Sequence, residues 1–321
     1  MHKSFLPFRG GHYAPVMTNV RDMATPPPGL FVLWYNAFAS SNKYIDRNGN
    51  GFNRINLENI NPRLPPIEVS TNLDAFASIP TVFWASNFKV LGARYMAGIS
   101  ANYISADVSV ITERNGAILD TTFTRRANEK VSGISDLFVA PIGLSWGLDN
   151  ADVTFLYGFY APTGKYETGG NDNVGLGFWT HQFQGYGYFY PVEDKSRALM
   201  LGLTYETNSK IEDADVRPGD RFSLEYGISQ YFTERLEVSI QGGHNWQIGD
   251  DNGEDIYWDA TFHDRKSSLG FGLSYWIWKD HLQMNFKYAF DYGIRQRYKN
   301  NLYFLNLVFV PDILTGNQVQ N

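Results

Sequence analysis

Hydrophobic and polar residues alternate with a period of two along most of this chain. From Leu282 to Tyr292 the even positions are Leu282, Met284, Phe286, Tyr288, Phe290 and Tyr292; the odd positions are polar or small. The same pattern recurs where Leu199, Leu201, Leu203 and Tyr205 alternate with Met200, Gly202, Thr204 and Glu206. It recurs again around Val153–Phe159, Phe222–Ile228, Leu236–Ile240, Leu269–Tyr275 and Tyr303–Phe309. Successive side chains of a strand point to opposite faces, so this period predicts β-strands with one apolar face.

A soluble sandwich would also alternate. Three features favour a membrane barrel. The segments are about ten residues long, the span of a tilted transmembrane strand, where sandwich strands are nearer five or six. The apolar face often ends in an aromatic, as at Tyr205, Trp246, Tyr275 and Tyr292, which suits the interfacial girdles of such barrels. Connections alternate in length. Short ones fall at 148–151, 191–196, 233–235 and 278–281; long polar ones fall at 39–66, 112–132, 164–175, 209–220, 249–264 and 295–300. Outer-membrane barrels have short periplasmic turns and long outer loops. Closure follows from the lipid solvent, which cannot satisfy an open sheet edge.

The pattern predicts an all-β, transmembrane, antiparallel up-and-down barrel of about twelve strands, over 29–39, 71–85, 89–110, 134–147, 152–162, 177–190, 197–208, 221–232, 236–248, 265–277, 281–294 and 301–310. An even count puts both ends in the periplasm. Pro80 interrupts the second segment, and Asp107 falls where the third leaves the bilayer. The chain then divides into a segment 1–28, a barrel 29–310 and a tail 311–321. Residues 1–28 end in the stiff Pro26-Pro27-Pro28-Gly29. They either fold back into the lumen as a plug or fray in the periplasm.

Composition narrows the class. Of 321 residues, 43% are hydrophobic, 16% aromatic and only 19% charged. So much aromatic surface excludes a disordered chain. With no cysteine there is no disulfide framework, thiolate metal site or Cys nucleophile. A net charge of −6 argues against a nucleic-acid partner. No stretch reaches the roughly 20 apolar residues of a spanning helix. The first residues carry no apolar signal core, so this is either a cytosolic protein or a form without its leader.

Strand parity places Arg94, Met96, Tyr160, Tyr186, Tyr188, Met200, Glu206, Arg221, Glu225, Glu237, Lys287 and Asp291 on the inward face. The charged members are either a selective pore wall or a salt-bridge network; charges in a narrow barrel usually pair. Inward Tyr and Met suit a path for an aromatic or alkyl solute better than an ion pore. His12 and Tyr13 are the plug residues expected to complete a binding site. Inward Gly98, Gly158, Gly202, Gly227, Gly243, Gly270 and Gly272 either make room for the plug or permit coiling.

Other chemistry has little support. His181 and His244 fall on the outward face, where a Ser–His pair would meet lipid, but local spacing fixes no Ser beside either. Asp46–Gly51 begins like a calcium loop, yet the expected acidic ligand falls on Leu57, with Glu58 one residue late. Asp250, Asp251, Glu254 and Asp255 read as a solvated acidic loop. No catalytic residue, metal or cofactor is expected.

An ordered series of short motifs adds a family resemblance. The series is Gly10-Gly11-His12-Tyr13-Ala14-Pro15, Ser135-Asp136-Leu137 with Trp146, Pro162-Thr163-Gly164-Lys165-Tyr166, Asn173-Val174-Gly175-Leu176-Gly177-Phe178-Trp179-Thr180, Tyr205-Glu206-Thr207-Asn208 and Pro218-Gly219-Asp220. Together they resemble the outer-membrane channel family labelled "meta-pathway of phenol degradation", over most of residues 10–310. The resemblance implies a monomeric twelve-strand barrel, plugged by its N-terminal segment, that takes up small hydrophobic molecules such as aromatics. Its partners are then those molecules, outer-membrane lipid and lipopolysaccharide. One departure is the end, where Phe309 is followed by Val310–Asn321 instead of closing the chain. The expected function is passive uptake, with sideways release into the bilayer at Pro80 or Pro141, where proline cannot donate a ladder bond. The alternatives are a general diffusion porin and an adhesive or structural barrel acting through its loops.

Overall fold

A computed structural model describes residues 11–57, 64–115, 122–170 and 172–311. Residues 1–10, Glu58 and the tail from 312 onward lie outside it, so the expectations placed on them are not taken further.

In chain order the strands are β1 (Gly29–Ser41), β2 (Tyr44–Ile45), β3 (Arg54–Ile55), β4 (Ile67–Val90), β5 (Ala93–Ser100), β6 (Tyr103–Asn115), β7 (Thr122–Ile134), β8 (Leu137–Gly147), β9 (Ala151–Ala161), β10 (Thr180–Phe189), β11 (Arg197–Asn208), β12 (Arg221–Tyr231), β13 (Leu236–Gln247), β14 (Arg265–Trp278), β15 (Leu282–Arg295), β16 (Arg297–Tyr298) and β17 (Asn301–Phe309). Twelve of them form a closed antiparallel barrel in the order β1, β17, β15, β14, β13, β12, β11, β10, β9, β8, β5, β4, and back to β1. The burial pattern alternates residue by residue, as in β11, where Leu199, Leu201 and Leu203 are exposed and Met200, Thr204 and Glu206 are buried. The outer wall is the apolar face, exposing Leu201, Phe271, Leu273 and Phe286 to lipid. The buried polar residues point inward. This is the inverse of a soluble protein, and it is what a lipid solvent selects.

The β4-to-β5 connection is the two-residue turn Leu91-Gly92. Both residues have positive φ, 52° and 78°, the geometry of a hairpin turn that follows strand twist.

The segment expected as an outer loop at 112–132 is instead a hairpin. β6 and β7 pair from Tyr103↔Ile134 to Asn115↔Thr122. β6 also pairs with the upper half of β4, from Ile67↔Arg114 to Ser78↔Tyr103. The third and fourth transmembrane strands therefore run on past the barrel as a blade, beyond the breaks at Ala101-Asn102 and Ser135-Asp136. Its outer strand β7 is exposed nearly throughout, which removes the apolar face that periodicity detects. Likewise β4 begins at Ile67 and ends at Val90, longer at both ends than alternation suggested.

The gap expected at Pro80 is absent between β1 and β4, while the one expected at Pro141 takes the form of a bulge. Pro80 stays in register with Trp34, and β1–β4 pairing is unbroken from Gly29↔Ala85 to Ser41↔Leu73. Pro80 stands where β4 exchanges β5 for β6, opposite the Ala101-Asn102 break. Pro141 sits in a double irregularity. β8 loses register with β9 between Val139 and Ile142, and with β5 between Met96 and Gly98.

Candidate functional site: the barrel interior

The interior divides into two arcs. One is apolar and is supplied by β1, β4, β5 and β8 to β11: Phe31, Leu33, Tyr35, Phe83, Met96, Phe138, Leu156, Tyr186, Tyr188 and Met200 form one buried cluster. The other, β11 to β15, carries Glu206, Arg221, Glu225, Glu237, Lys287 and Asp291, all buried. Of the twelve residues assigned inward by parity, ten are buried and Tyr160 stacks on His12. Arg94 is half-buried and donates from Nη1 to the Ser86 carbonyl at 2.7 Å.

Residues 11–25 run between these arcs and bond to both. The His12 and Tyr13 amides donate to Glu206 Oε1 at 3.1 and 3.0 Å, and Gln182 donates to the same oxygen at 3.0 Å. The Tyr13 hydroxyl meets the Tyr186 hydroxyl at 2.7 Å and also donates to Glu225. The Val16 amide donates to Glu225 Oε1 at 2.6 Å. Lys287 Nζ donates to the Thr18 carbonyl at 2.7 Å and to Gln241 Oε1 at 3.1 Å. Arg21 binds Glu237 at 2.7 Å and the carbonyls of Lys195 and Ser196 at 2.9 Å, with Tyr231 under its guanidinium. On the apolar side, Val20 and Met23 join the buried cluster, and the Met23 amide donates to the Tyr188 hydroxyl at 3.2 Å.

The charges thus pair with one another or with this segment. Arg221 is clasped by Asp264 and by Asn245 Oδ1 at 2.8 Å. Asp291 accepts from Ser268 at 2.6 Å and from Asn300 Nδ2 at 2.8 Å. Burying carboxylates and ammonium groups costs several kcal/mol each unless they are partnered, so these contacts are what permit the charges to lie inside.

Two of the inward glycines make room for residues 11–25. A Cβ on Gly243 would lie 2.6 Å from Pro15 Cβ, and one on Gly227 would lie 3.0 Å from Val20 Cγ2. The others accept wall side chains: Gly98 the Phe83 ring, Gly158 the Phe138 ring, Gly202 the Tyr186 ring, Gly270 the Ala289 methyl and Gly272 the Ser239 hydroxyl.

Asp136, in the break between β7 and β8, is the residue that strand parity missed. It is fully buried. Its Oδ1 accepts from the Gly164 amide at 3.0 Å, and its Oδ2 from the Leu176 amide at 2.8 Å and from His12 Nε2 at 3.0 Å. His12 Nδ1 lies 2.9 Å from Thr180 Oγ1, and its ring stacks on Tyr160 with centroids 4.1 Å apart. Motifs scattered over 10–180 thus meet at one carboxylate, which ties the 162–179 loop, the wall and His12 together. Above this point a cavity of about 20 Å³ is bounded by Gly11, Phe178, Asn208, Gly219, Arg221 and Gln247.

The outward histidines do find partners across strands. His244 Nδ1 lies 2.7 Å from Ser267 Oγ, in register on β14, and its Nε2 lies 3.4 Å from the Tyr226 hydroxyl. His181 Nδ1 lies 3.0 Å from the Tyr157 hydroxyl. Among the described residues no carboxylate bonds to either ring, and Ser267 lies beside a β-bulge in the β14–β15 ladder. In the Asp46–Gly51 loop, Asp46 Oδ1 accepts from the Asn48 and Asn50 amides at 2.8 Å, an Asx turn made within the chain.

A closed twelve-strand barrel with an apolar outer wall defines a channel-like barrel of the bacterial outer membrane. The chain belongs to the family described as "Putative MetA-pathway of phenol degradation", whose profile matches residues 50–307. Among solved structures it is similar to the COG4313 outer membrane channel from Pseudomonas putida F1, with a TM-score of 0.67 and 14% identity, over 92% of this chain and 100% of that one. Weaker likenesses are to the translocator domain of autotransporter NalP from Neisseria meningitidis (TM-score 0.48, 13% identity, 91% and 92% covered) and a Pseudomonas aeruginosa FadL homologue (TM-score 0.39, 10% identity, 88% and 90% covered). No curated protein sequence matches.

Proposed function

We propose that this barrel is a passive channel for small hydrophobic molecules, aromatic or alkyl, and that residues 11–28 plug it against ions and sugars. The observation that carries this reading is the two-sided interior. The charged arc is spent on internal pairs and on residues 12–21, while the apolar arc of Tyr, Phe and Met is covered by Val20 and Met23 of the same segment, so a hydrophobic solute that displaces them exchanges one apolar contact for another, which an ion or sugar cannot do. The family is described by a pathway of phenol degradation and the structural relative is a channel, which agrees with this reading. Pro141 lies on the same apolar arc, where β8 loses register with both neighbours. Release sideways at that bulge delivers an apolar solute to the bilayer instead of to periplasmic water.

The test is uptake into liposomes of a small aromatic beside a sugar of similar size, with planar-bilayer conductance on the same protein. Aromatic uptake without sugar uptake, and low conductance, is the expected result. Equal uptake of both with high conductance would make it a general porin. The blade favours a second, surface-acting role, since it stands outside the barrel wall; no flux of either solute would move the function there.

A further inference from the structure

The outer rim of the lipid-facing wall carries a feature that neither the interior nor its pairing explains. Arg265 opens β14 and Arg295 closes β15, and the two are direct register partners. Both are exposed. Like charges placed directly opposite on neighbouring strands repel. Among the described residues, neither guanidinium has a carboxylate partner. The contrast with the inner face is sharp: Lys266 and Arg297, on the same two strands or just beyond, reach Asp291 at 3.8 Å and Asp264 at 2.9 Å.

The surroundings set the depth and the chemistry. Trp246 is the register partner of Arg265 on β13, and Tyr292 that of Ser267 on β15. Trp and Tyr at the end of a lipid-facing strand mark the headgroup level. Trp246 stacks on His244 with centroids 5.3 Å apart, and His244 holds Ser267, so a polar pair lies one step below the arginines. Both strands end here in outer loops, so this is the outer leaflet. Two guanidiniums carried at register-paired positions, just above a β-bulge between Arg265 and Ser267, are suited to an oxyanion with several acceptor oxygens, since phosphate takes bidentate bonds from arginine.

We infer that Arg265 and Arg295 form a binding site for the phosphate of an outer-leaflet lipid, a phosphorylated glycolipid. The anion removes the repulsion between the two arginines, the aromatic belt packs its sugar and upper acyl segments, and the Ser267–His244 pair faces its ester region. The site is independent of the channel reading, because it lies on the outside of the wall.

The experiment is native mass spectrometry of full-length protein in detergent, titrated with hexa-acylated bisphosphoryl lipid A, its dephosphorylated form, phosphatidylglycerol and inorganic phosphate. The wild type should retain one lipid A per barrel, with at least tenfold weaker retention of the dephosphorylated lipid and of phosphatidylglycerol. The double variant R265Q/R295Q should lose at least tenfold of the lipid A affinity, while R197Q, at the periplasmic end, should not. Heat-modifiable migration on gels shows that each variant is folded; R265K/R295K, which keeps the charge, serves if the glutamine pair does not fold and should retain lipid A better than the dephosphorylated lipid. Equal retention of phosphorylated and dephosphorylated lipid, undiminished binding by R265Q/R295Q, or saturation by inorganic phosphate at the same concentration would each overturn the proposal.

Discussion

At the residue scale, the bonds between residues 11–25 and the wall are specific enough to be broken singly. Glu225 accepts the Val16 amide and the Tyr13 hydroxyl. Replacing it with Ala orphans the buried Val16 amide, at a cost of about 1–3 kcal/mol, and leaves the Tyr13 hydroxyl with Tyr186 alone. Glu225→Ala should therefore loosen the segment and raise single-channel conductance several-fold over wild type in planar bilayers, with the barrel still folded on gels. Unchanged conductance would show that the segment is held elsewhere. Gly243→Leu reaches the same end by volume, because its side chain occupies the space of Pro15. It should raise conductance as well, whereas Gly185→Leu, where an added Cβ meets nothing within 4 Å, should not. Arg21 sets the energetic scale: Arg21→Ala leaves Glu237 buried without its cation, a loss of about 3–5 kcal/mol for a pair of this kind. It should lower the temperature at which the barrel becomes fully extended on gels.

At the element scale, the strands of the C-terminal half could be read from sequence almost to their ends, because each puts one face on lipid. The blade could not. β7 reads Thr-Phe-Thr-Arg-Arg-Ala-Asn-Glu-Lys, polar on both faces, and a strand without a buried face has no period-two signature. Strand parity also told inside from outside. It could not say which groups meet: Ser267 comes to His244 and Asp264 to Arg221 only through register, and Asp136 joins distant motifs at a strand break. Two predictions belong to elements. Ser135 N already donates to Asn102 O at 2.7 Å, so joining these residues through Asn-Gly removes the blade without moving the wall. That variant should fold and keep aromatic uptake within about twofold; a large loss would make the blade part of the path. Ile99 and Val139 are register partners beside the Pro141 bulge, and the chain has no cysteine of its own. An Ile99→Cys/Val139→Cys disulfide, at a cross-strand spacing that permits one, should cut aromatic uptake at least fivefold and restore it on reduction. Uptake indifferent to the cross-link would rule out sideways release there.

At the scale of the whole molecule, the division of the interior into arcs separates two demands that conflict in most channels. The charged arc holds residues 11–25 mainly with directional bonds, and the apolar arc meets Val20 and Met23 mainly by packing. The outer wall repeats the separation in another form, apolar along its height and cationic at the rim beside Trp246 and Tyr292. Exchanging the two arcs' chemistry, with Met200→Glu as the smallest step, should lower aromatic uptake more than conductance, measured on the same liposomes and bilayers.

The topology also constrains biogenesis. Residues 11–25 precede every strand in the chain, yet their partners run from β8 to β17, as much as 289 residues later. The wall closes only when β17, the last strand, finds β1. Docking and closure are therefore coupled, because β17, the strand that closes the wall, also carries Asn306, a partner of Met17 and Asn19.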